Sequence, residues 1–185
     1  EAFVVGREFN IALWGDPVDV LPLAEIDFGA FSDPYTRIVS FAAKWEKGSF
    51  EYHHTPVQCP ASVEPALATQ IEETALRAWD AVGCQGYARV DMRVSEVGIP
   101  YVVEVNCNPD LSPDAGFFHA AQAAGYQYQD MVLHILEIAR RQSYGSDRAS
   151  FNNRWPLDFA DDARDGDFYP HGAGLRRGAM ESVSG

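Results

Sequence analysis

The stretch "GYARVDMRVSEVGIPYVVEVNCNPD", residues 86–110, decides how this chain is read. Tyr87, Arg89, Asp91 and Arg93 alternate with Ala88, Val90 and Met92, the period of a half-buried strand. After "SEVG" the chain returns as "IPYVVEVN", in which Val102, Glu104 and Asn106 alternate with Tyr101, Val103 and Val105. This spacing predicts an antiparallel hairpin turning near Val97 and Gly98. Folded about that turn, Asp91 falls opposite or nearly opposite Glu104, and Arg89 falls near Asn106. A strand so rich in valine does not take a carboxylate onto a buried face unless something offsets its desolvation. Two carboxylates facing each other across a ladder repel, and a cation between them removes the repulsion. Aspartate, glutamate and an amide oxygen are hard donors, suited to Mg²⁺ or Mn²⁺ rather than zinc. The plainer reading of the same residues is a solvated hairpin face on which Arg89 pairs with Asp91 or Glu104. Spacing alone leaves both open.

Upstream, residues 1–14 also alternate, with Phe9, Ile11 and Leu13 on one side and Glu8, Asn10 and Ala12 on the other. Residues 3–28 read as antiparallel strands broken by a turn at Gly15-Asp16-Pro17, with Pro22 at an edge or bulge. Residues 29–62 are irregular, and a long loop in a compact domain is often functional. Its part "IVSFAAKWEKGS" reads as a short strand or helix and "EYHHTPVQCPAS" as loop. Residues 63–82 are predicted helical, with Ser62 as N-cap and Leu67, Ile71, Ala75, Ala78 and Val82 on one face. Gly83 ends that helix. Downstream, residues 115–125 and 127–141 read as helices, the second turning Tyr128, Met131, Val132, Ile135 and Ile138 inward. From residue 143 the apolar period is lost, and 143–185 reads as a linker or mobile tail following one domain at 1–142. The chain starts at Glu1 already in strand pattern, which reads as a fragment of a longer protein.

The 185 residues, 46% of them hydrophobic, are enough for one globular core. A net charge of −13 argues against binding the phosphate backbone of nucleic acids, but not against a nucleotide carried with a metal ion. No apolar run spans a bilayer and no leader opens the chain. Cys59, Cys84 and Cys107 are isolated and odd in number, which points to small buried hydrophobes in a reducing cytoplasm. His53 and His54 are read as loop residues, since adjacent side chains on an extended chain cannot face one ion. His134 is read as a packed or surface histidine.

Beyond these patterns, "GYARVDMRV…GIPYVVEVNCNPD" resembles the metal-binding hairpin of the ATP-grasp superfamily, most closely its D-alanine–D-alanine ligase branch. "EAFVVGREFNIAL" is similar to that family's hinge strand, "AAKWEKGSFEYHHTPVQCPA" to its active-site loop and "AGFFHAAQAAGYQYQDMVLHIL" to its closing helices. The resemblance covers about residues 1–141 and implies the C-terminal half of an ATP-grasp fold, α+β, with a central antiparallel sheet and helices packed on one face. It implies an ATP-dependent carboxylate–amine ligase acting through an acyl-phosphate on small amino acids, with a place in cell-wall biosynthesis and room for a homodimer. By position, Glu1 would contact adenine, Glu8 the ribose hydroxyls and Lys44 the terminal phosphates. Asp91, Glu104 and Asn106 would hold two Mg²⁺ ions, and Arg89 would face the oxyanion formed when the amine attacks.

Two positions depart from the family pattern. Asp110 stands where the family has a glycine after the proline, and Ala115 where a serine near the acceptor site is expected, so the acceptor amino acid is not set by the resemblance. No glycine-rich phosphate loop is found, and the chain alone is expected to bind nucleotide weakly and catalyse little. The competing readings are a non-catalytic remnant kept as a nucleotide-binding scaffold and a phosphohydrolase using the same metals.

Overall fold

Phe9, Ile11 and Leu13 alternate with Glu8, Asn10 and Ala12, and the chain answers with a ten-residue strand, β1 (Gly6–Gly15), at the middle of the sheet. The computed structural model describes residues 2–15 and 17–145. β2 (Val18–Val20) and β3 (Ala24–Ile26) follow. Then come a 3₁₀ turn at Pro34–Thr36, two short helices α1 (Phe41–Trp45) and α2 (Phe50–His53), and β4 (Val57–Gln58). Helix α3 (Pro65–Ala81) leads into the hairpin β5 (Tyr87–Ser95) and β6 (Pro100–Asn106), and α4 (Gly116–Ala123) and α5 (Tyr128–Gly145) follow. The described strands form one antiparallel sheet in the order β4-β3-β1-β5-β6, with β2 also paired to β1. β1 pairs with β5 from Gly6↔Ser95 to Trp14↔Tyr87. Gly6 opens this ladder at φ +149°, where a Cβ would run into the Val94 carbonyl oxygen.

Because paired residues share a face, Phe9, Ile11 and Leu13 lie with Met92, Val90 and Ala88. All six are fully buried, and α3 covers them with Ile71, Ala75 and Trp79, spaced one turn apart along its inner stripe. The opposite face is divided. One end carries Ala12 and Trp14, packed by Phe117, Phe118, Ala120 and Ala121 of α4 and by Met131 and Ile138 of α5. Starting from Arg89, the partner of Ala12, the rest of this face carries Asn10 with Asp91 and Glu8 with Arg93. The α+β class and the antiparallel sheet are as expected, but the helices sit on both faces rather than one. The reason is Trp14: it shares a side with Glu8 and Asn10, and its ring creates a second apolar patch that α4 and α5 must cover.

Several local expectations are refined. The N-cap of α3 is Glu64, without a side-chain bond, and not Ser62; Pro65 takes the first helical position, where its missing N–H costs nothing. The carbonyl of Ser62 instead accepts from Arg7 Nη2 at 2.8 Å. Gly83 ends the helix in the left-handed conformation, φ +66°. The segment read as loop after the histidines holds β4, which pairs Gln58 with Glu25 and Val57 with Ile26. On α5, Met131 and Ile138 are buried, whereas Tyr128 and Val132 lie at the exposed rim. The helix continues to Gly145, past the expected boundary of the tail, most of which lies outside the described residues. Among the described residues no helix is long and apolar enough to cross a membrane.

The cysteines correct the sequence reading. Cys107 is exposed and Cys59 and Cys84 are only half-buried. Cys84 and Cys107 are not isolated: antiparallel pairing sets the start of β5 beside the end of β6 and brings their sulfurs to 3.3 Å.

Candidate functional site

The polar end of the sheet is assembled from β1, β5 and β6. The ladder sets Asp91 opposite Glu104 and Arg89 opposite Asn106, the register expected from the turn. Beyond Asp91 the register shifts by one residue, so Met92 pairs with Val102 and Val103 is left over as a bulge. Asn10 of β1 is the partner of Asp91 on its other side, and Glu8 that of Arg93. Four of the expected residues, Arg89, Asp91, Glu104 and Asn106, are thus gathered at one place, with Glu8 further along the same face.

Arg89 holds Asp91 in a two-pronged ion pair, Nε to Oδ1 at 2.7 Å and Nη2 to Oδ2 at 2.8 Å. Asn10 Nδ2 donates to the same Oδ1 at 2.8 Å. The hydrogen-bonded Asp91, with the charges of Glu104 and Asp110 beyond it, holds the Arg89 guanidinium above its ordinary value against the effect of burial. Arg89 therefore stays charged under all ordinary conditions. Glu104 is exposed. Asn106 Oδ1 accepts from the Asn108 N–H at 2.9 Å, forming a short turn at the end of the strand. Asp110 accepts from Ser112 N at 2.8 Å and Ser112 Oγ at 2.6 Å. Those bonds, and then the charge of Arg89, lower its carboxyl below the usual range.

Glu8 is bound by Arg93, Nη1 to Oε2 at 2.8 Å. Burial pushes the Glu8 carboxyl up, while Arg93, and more weakly Lys44, pull against it. Lys44 is exposed in the last turn of α1, a helix whose N-cap Ser40 accepts from Ala43 N at 3.2 Å. Glu1 lies outside the described residues. The histidine pair is not in loop as expected: His53 closes α2 and His54 is its C-cap, with His54 Nδ1 2.7 Å from Phe50 O and its ring stacked on Phe50. His134 packs against Trp14, ring centroids 4.4 Å apart.

Sequence reasoning missed two members of this site. Arg93 is only 6% exposed, and besides Glu8 it donates to the carbonyls of Val4, Gly6 and Arg37. It ties the chain's first residues and the loop before α1 to the sheet. Asn10 orients Asp91. The signal for both was the period of two, which sets Asn10 on the side of Glu8 and Arg93 on the side of Arg89 and Asp91.

The donor set fits a hard divalent cation in kind. Among the described residues no three His, Cys, Asp or Glu side chains cluster as a metal site, so the carboxylates on offer are two, with an amide as third donor. Mg²⁺ ordinarily takes one or two carboxylates and completes its shell with water and phosphate oxygens. Asp91 Oδ2 keeps a lone pair beyond its bond to Arg89, whereas Oδ1 accepts from both Arg89 and Asn10, and Asn106 Oδ1 keeps one beyond its bond to Asn108.

The fold is that of solved ATP-grasp ligases. A D-alanine–D-alanine ligase of Bacillus anthracis complexed with ATP superposes with a TM-score of 0.61 at 24% identity, over 80% of this chain and 42% of that one. The D-Ala:D-Ser ligase VanG of Enterococcus faecalis gives 0.56 at 23%, over 75% and 37%. Residues 1–137 match the family model described as D-ala D-ala ligase C-terminus. The chain belongs to that family. A D-alanine–D-alanine ligase of Pseudoalteromonas translucida is 34% identical over 138 residues, 74% of this chain and 40% of the relative. The uncharacterized protein y4sG of Sinorhizobium fredii is 34% identical over 147 residues, 79% and 42%. The chain thus spans about 40% of the length of the curated relatives it matches.

Proposed function

We propose that this chain supplies the metal- and phosphate-binding part of an ATP- and Mg²⁺-dependent carboxylate–amine ligase of the D-alanine–D-alanine ligase type. The observation that carries the reading is the cross-strand pair Asp91–Glu104 with Arg89 fixed beside it, in a chain of this family. Asp91, Glu104 and Asn106 would hold Mg²⁺ or Mn²⁺, with two ions expected. Bound there, the metal neutralises charge on the phosphates as the γ-phosphoryl group moves to a substrate carboxylate. Glu8 binds the ribose hydroxyls, Glu1 the adenine and Lys44 the terminal phosphates. The acyl-phosphate is then attacked by the amine of a second amino acid, phosphate leaves, and Arg89 faces the tetrahedral oxyanion. Two of its N–H groups are spent on Asp91, which fixes the plane in which the others are presented. Asp110 and Ala115 bear on which acceptor is taken. The reaction belongs in the cytoplasm, where ATP and free amino acids are both present.

One observation gives weight to a second reading. Both oxygens of Asp91 are already engaged by Arg89, so the pair can stand as a structural ion pair in a non-catalytic remnant. Phosphate release from ATP by the full-length protein, with Mg²⁺ and a panel of amino acids, separates the two. The ligase reading expects release that needs a particular amino acid or pair, and that Glu104→Gln abolishes while leaving circular dichroism unchanged. Release at the same rate without any amine would point to phosphohydrolysis. No release, with Glu104→Gln also leaving nucleotide affinity unchanged, would make this a scaffold.

A further inference from the structure

β5 and β6 run antiparallel with Arg89 opposite Asn106, so the residues just before β5 and just after β6 meet at one end of the hairpin. Both segments carry a thiol. Cys84 lies in the turn that ends α3, its N–H donating to Trp79 O at 3.0 Å. Cys107 follows Asn106 directly. Their Sγ atoms are 3.3 Å apart, and a disulfide needs about 2.05 Å, so closure asks for an approach of roughly 1 Å. Cys107 is exposed, whereas Cys84 is half-buried against the apolar face under α3. Cys59 is engaged elsewhere, its Sγ 3.5 Å from Pro22 O.

We propose that Cys84 and Cys107 are an oxidation site: a peroxide converts them to a reversible intramolecular disulfide that ties the end of β6 to the end of α3. The exposed Cys107 sulfur is reached first. It attacks the O–O bond of hydrogen peroxide, becomes a sulfenic acid and releases one water. The Cys84 sulfur then attacks the Cys107 sulfur, the S–O bond breaks, and the Cys84 proton leaves with the hydroxide as a second water. Two thiols lose two electrons and two protons, and one peroxide is reduced to two waters. A dithiol reverses the change by exchange.

The bond bears on Asn106 because Cys107 is the middle residue of the turn in which Asn106 Oδ1 accepts from Asn108 N. Anchoring residue 107 to α3 constrains that turn and with it the amide oxygen. This consequence rests on the proposed role of Asn106 in holding Mg²⁺; the disulfide itself does not. Disturbing the residues that orient a metal ligand commonly weakens binding at least about tenfold, and that is the loss of Mg·ATP affinity expected on oxidation.

The full-length protein treated with hydrogen peroxide and digested without reduction should yield a peptide pair joined through Cys84 and Cys107. The pair is lighter than the two free peptides by two hydrogens, and dithiothreitol separates it. Cys84→Ser and Cys107→Ser should each abolish the link, and Cys59→Ser should leave it. By calorimetry, Mg·ATP affinity should fall about tenfold in oxidised wild type, recover with dithiothreitol, and stay constant in peroxide-treated Cys84→Ser. Recovery of Cys107 as a sulfinic acid with no linked pair, or a link between Cys84 and Cys59, overturns the proposal. A linked pair with unchanged affinity overturns its hold on the site. Reduced protein that binds no Mg·ATP at all counts against the proposed function instead, and the mass of the linked pair still decides the disulfide.

Discussion

The Glu8–Arg93 pair shows how one residue's environment sets a measurable pH dependence. Burial is the larger influence on Glu8, so its folded carboxyl holds a proton more tightly than the ordinary value of 4.5. In the window opening at 4.5 the folded state then binds more protons than the unfolded one. Stability from this group is fully present below 4.5 and is lost as pH rises through the raised folded value. The unfolding free energy of wild type minus that of Glu8→Gln should therefore decline as pH is raised above 4.5, measured by urea titration at each pH. A difference that instead grows with pH would show that the Arg93 bond outweighs desolvation. His134 acts in the opposite sense: burial beside Trp14 lowers its pKa below 6.5, so it loses stability on acidification. Being common to both proteins, its effect cancels in the difference.

Among the elements, α3 holds the hairpin in place and so indirectly sets where Asp91 and Glu104 meet. Its inner stripe of Ile71, Ala75 and Trp79 packs on the apolar side of β1 and β5, whose other side carries Arg89 and Asp91. Ile71 is fully buried there. Ile71→Ala removes apolar contacts and leaves a cavity in a close-packed region, and should cost about 2–5 kcal/mol in urea unfolding. Leu133 on α5 is 63% exposed, so Leu133→Ala should stay within about 0.5 kcal/mol. Comparable losses for both would mean that α5 buries its outer side against something further.

At the scale of the whole molecule, the described residues of this acidic chain bring four acidic side chains, Glu8, Asp91, Glu104 and Asp110, to the surroundings of Arg89 and Arg93. A ligand that binds only the folded state raises stability by mass action, about 2.7 kcal/mol at a hundred times its dissociation constant. For the full-length protein, Mg²⁺ and ATP together should raise the melting temperature by several degrees, ATP with EDTA should raise it much less, and Glu104→Gln should lose the difference. Equal protection with and without Mg²⁺ would mean that the carboxylates do not meet the nucleotide through a cation.

The sequence by itself determined the hairpin and brought Asp91 and Arg89 opposite or nearly opposite Glu104 and Asn106, because a period of two is a local property of a short segment; the final register there also needs the bulge at Val103, which the turn does not encode. It determined β1 and, at Ile71 and Ala75, part of the stripe of α3, although Trp79 is buried and Val82, expected inward, is exposed; the resemblance carried by spaced motifs agrees with the family matched over residues 1–137. Tertiary structure alone decided which side each helix covers, since α4 and α5 answer to Trp14, a hundred residues and more away along the chain. It decided the burial of Arg93, whose partners at Val4, Gly6, Glu8 and Arg37 lie 56 to 89 residues away. It also decided the meeting of Cys84 with Cys107 across the ends of the hairpin. A strand's alternation states that one side is polar; which polar groups end up touching depends on chain closure and packing between segments that no local pattern links.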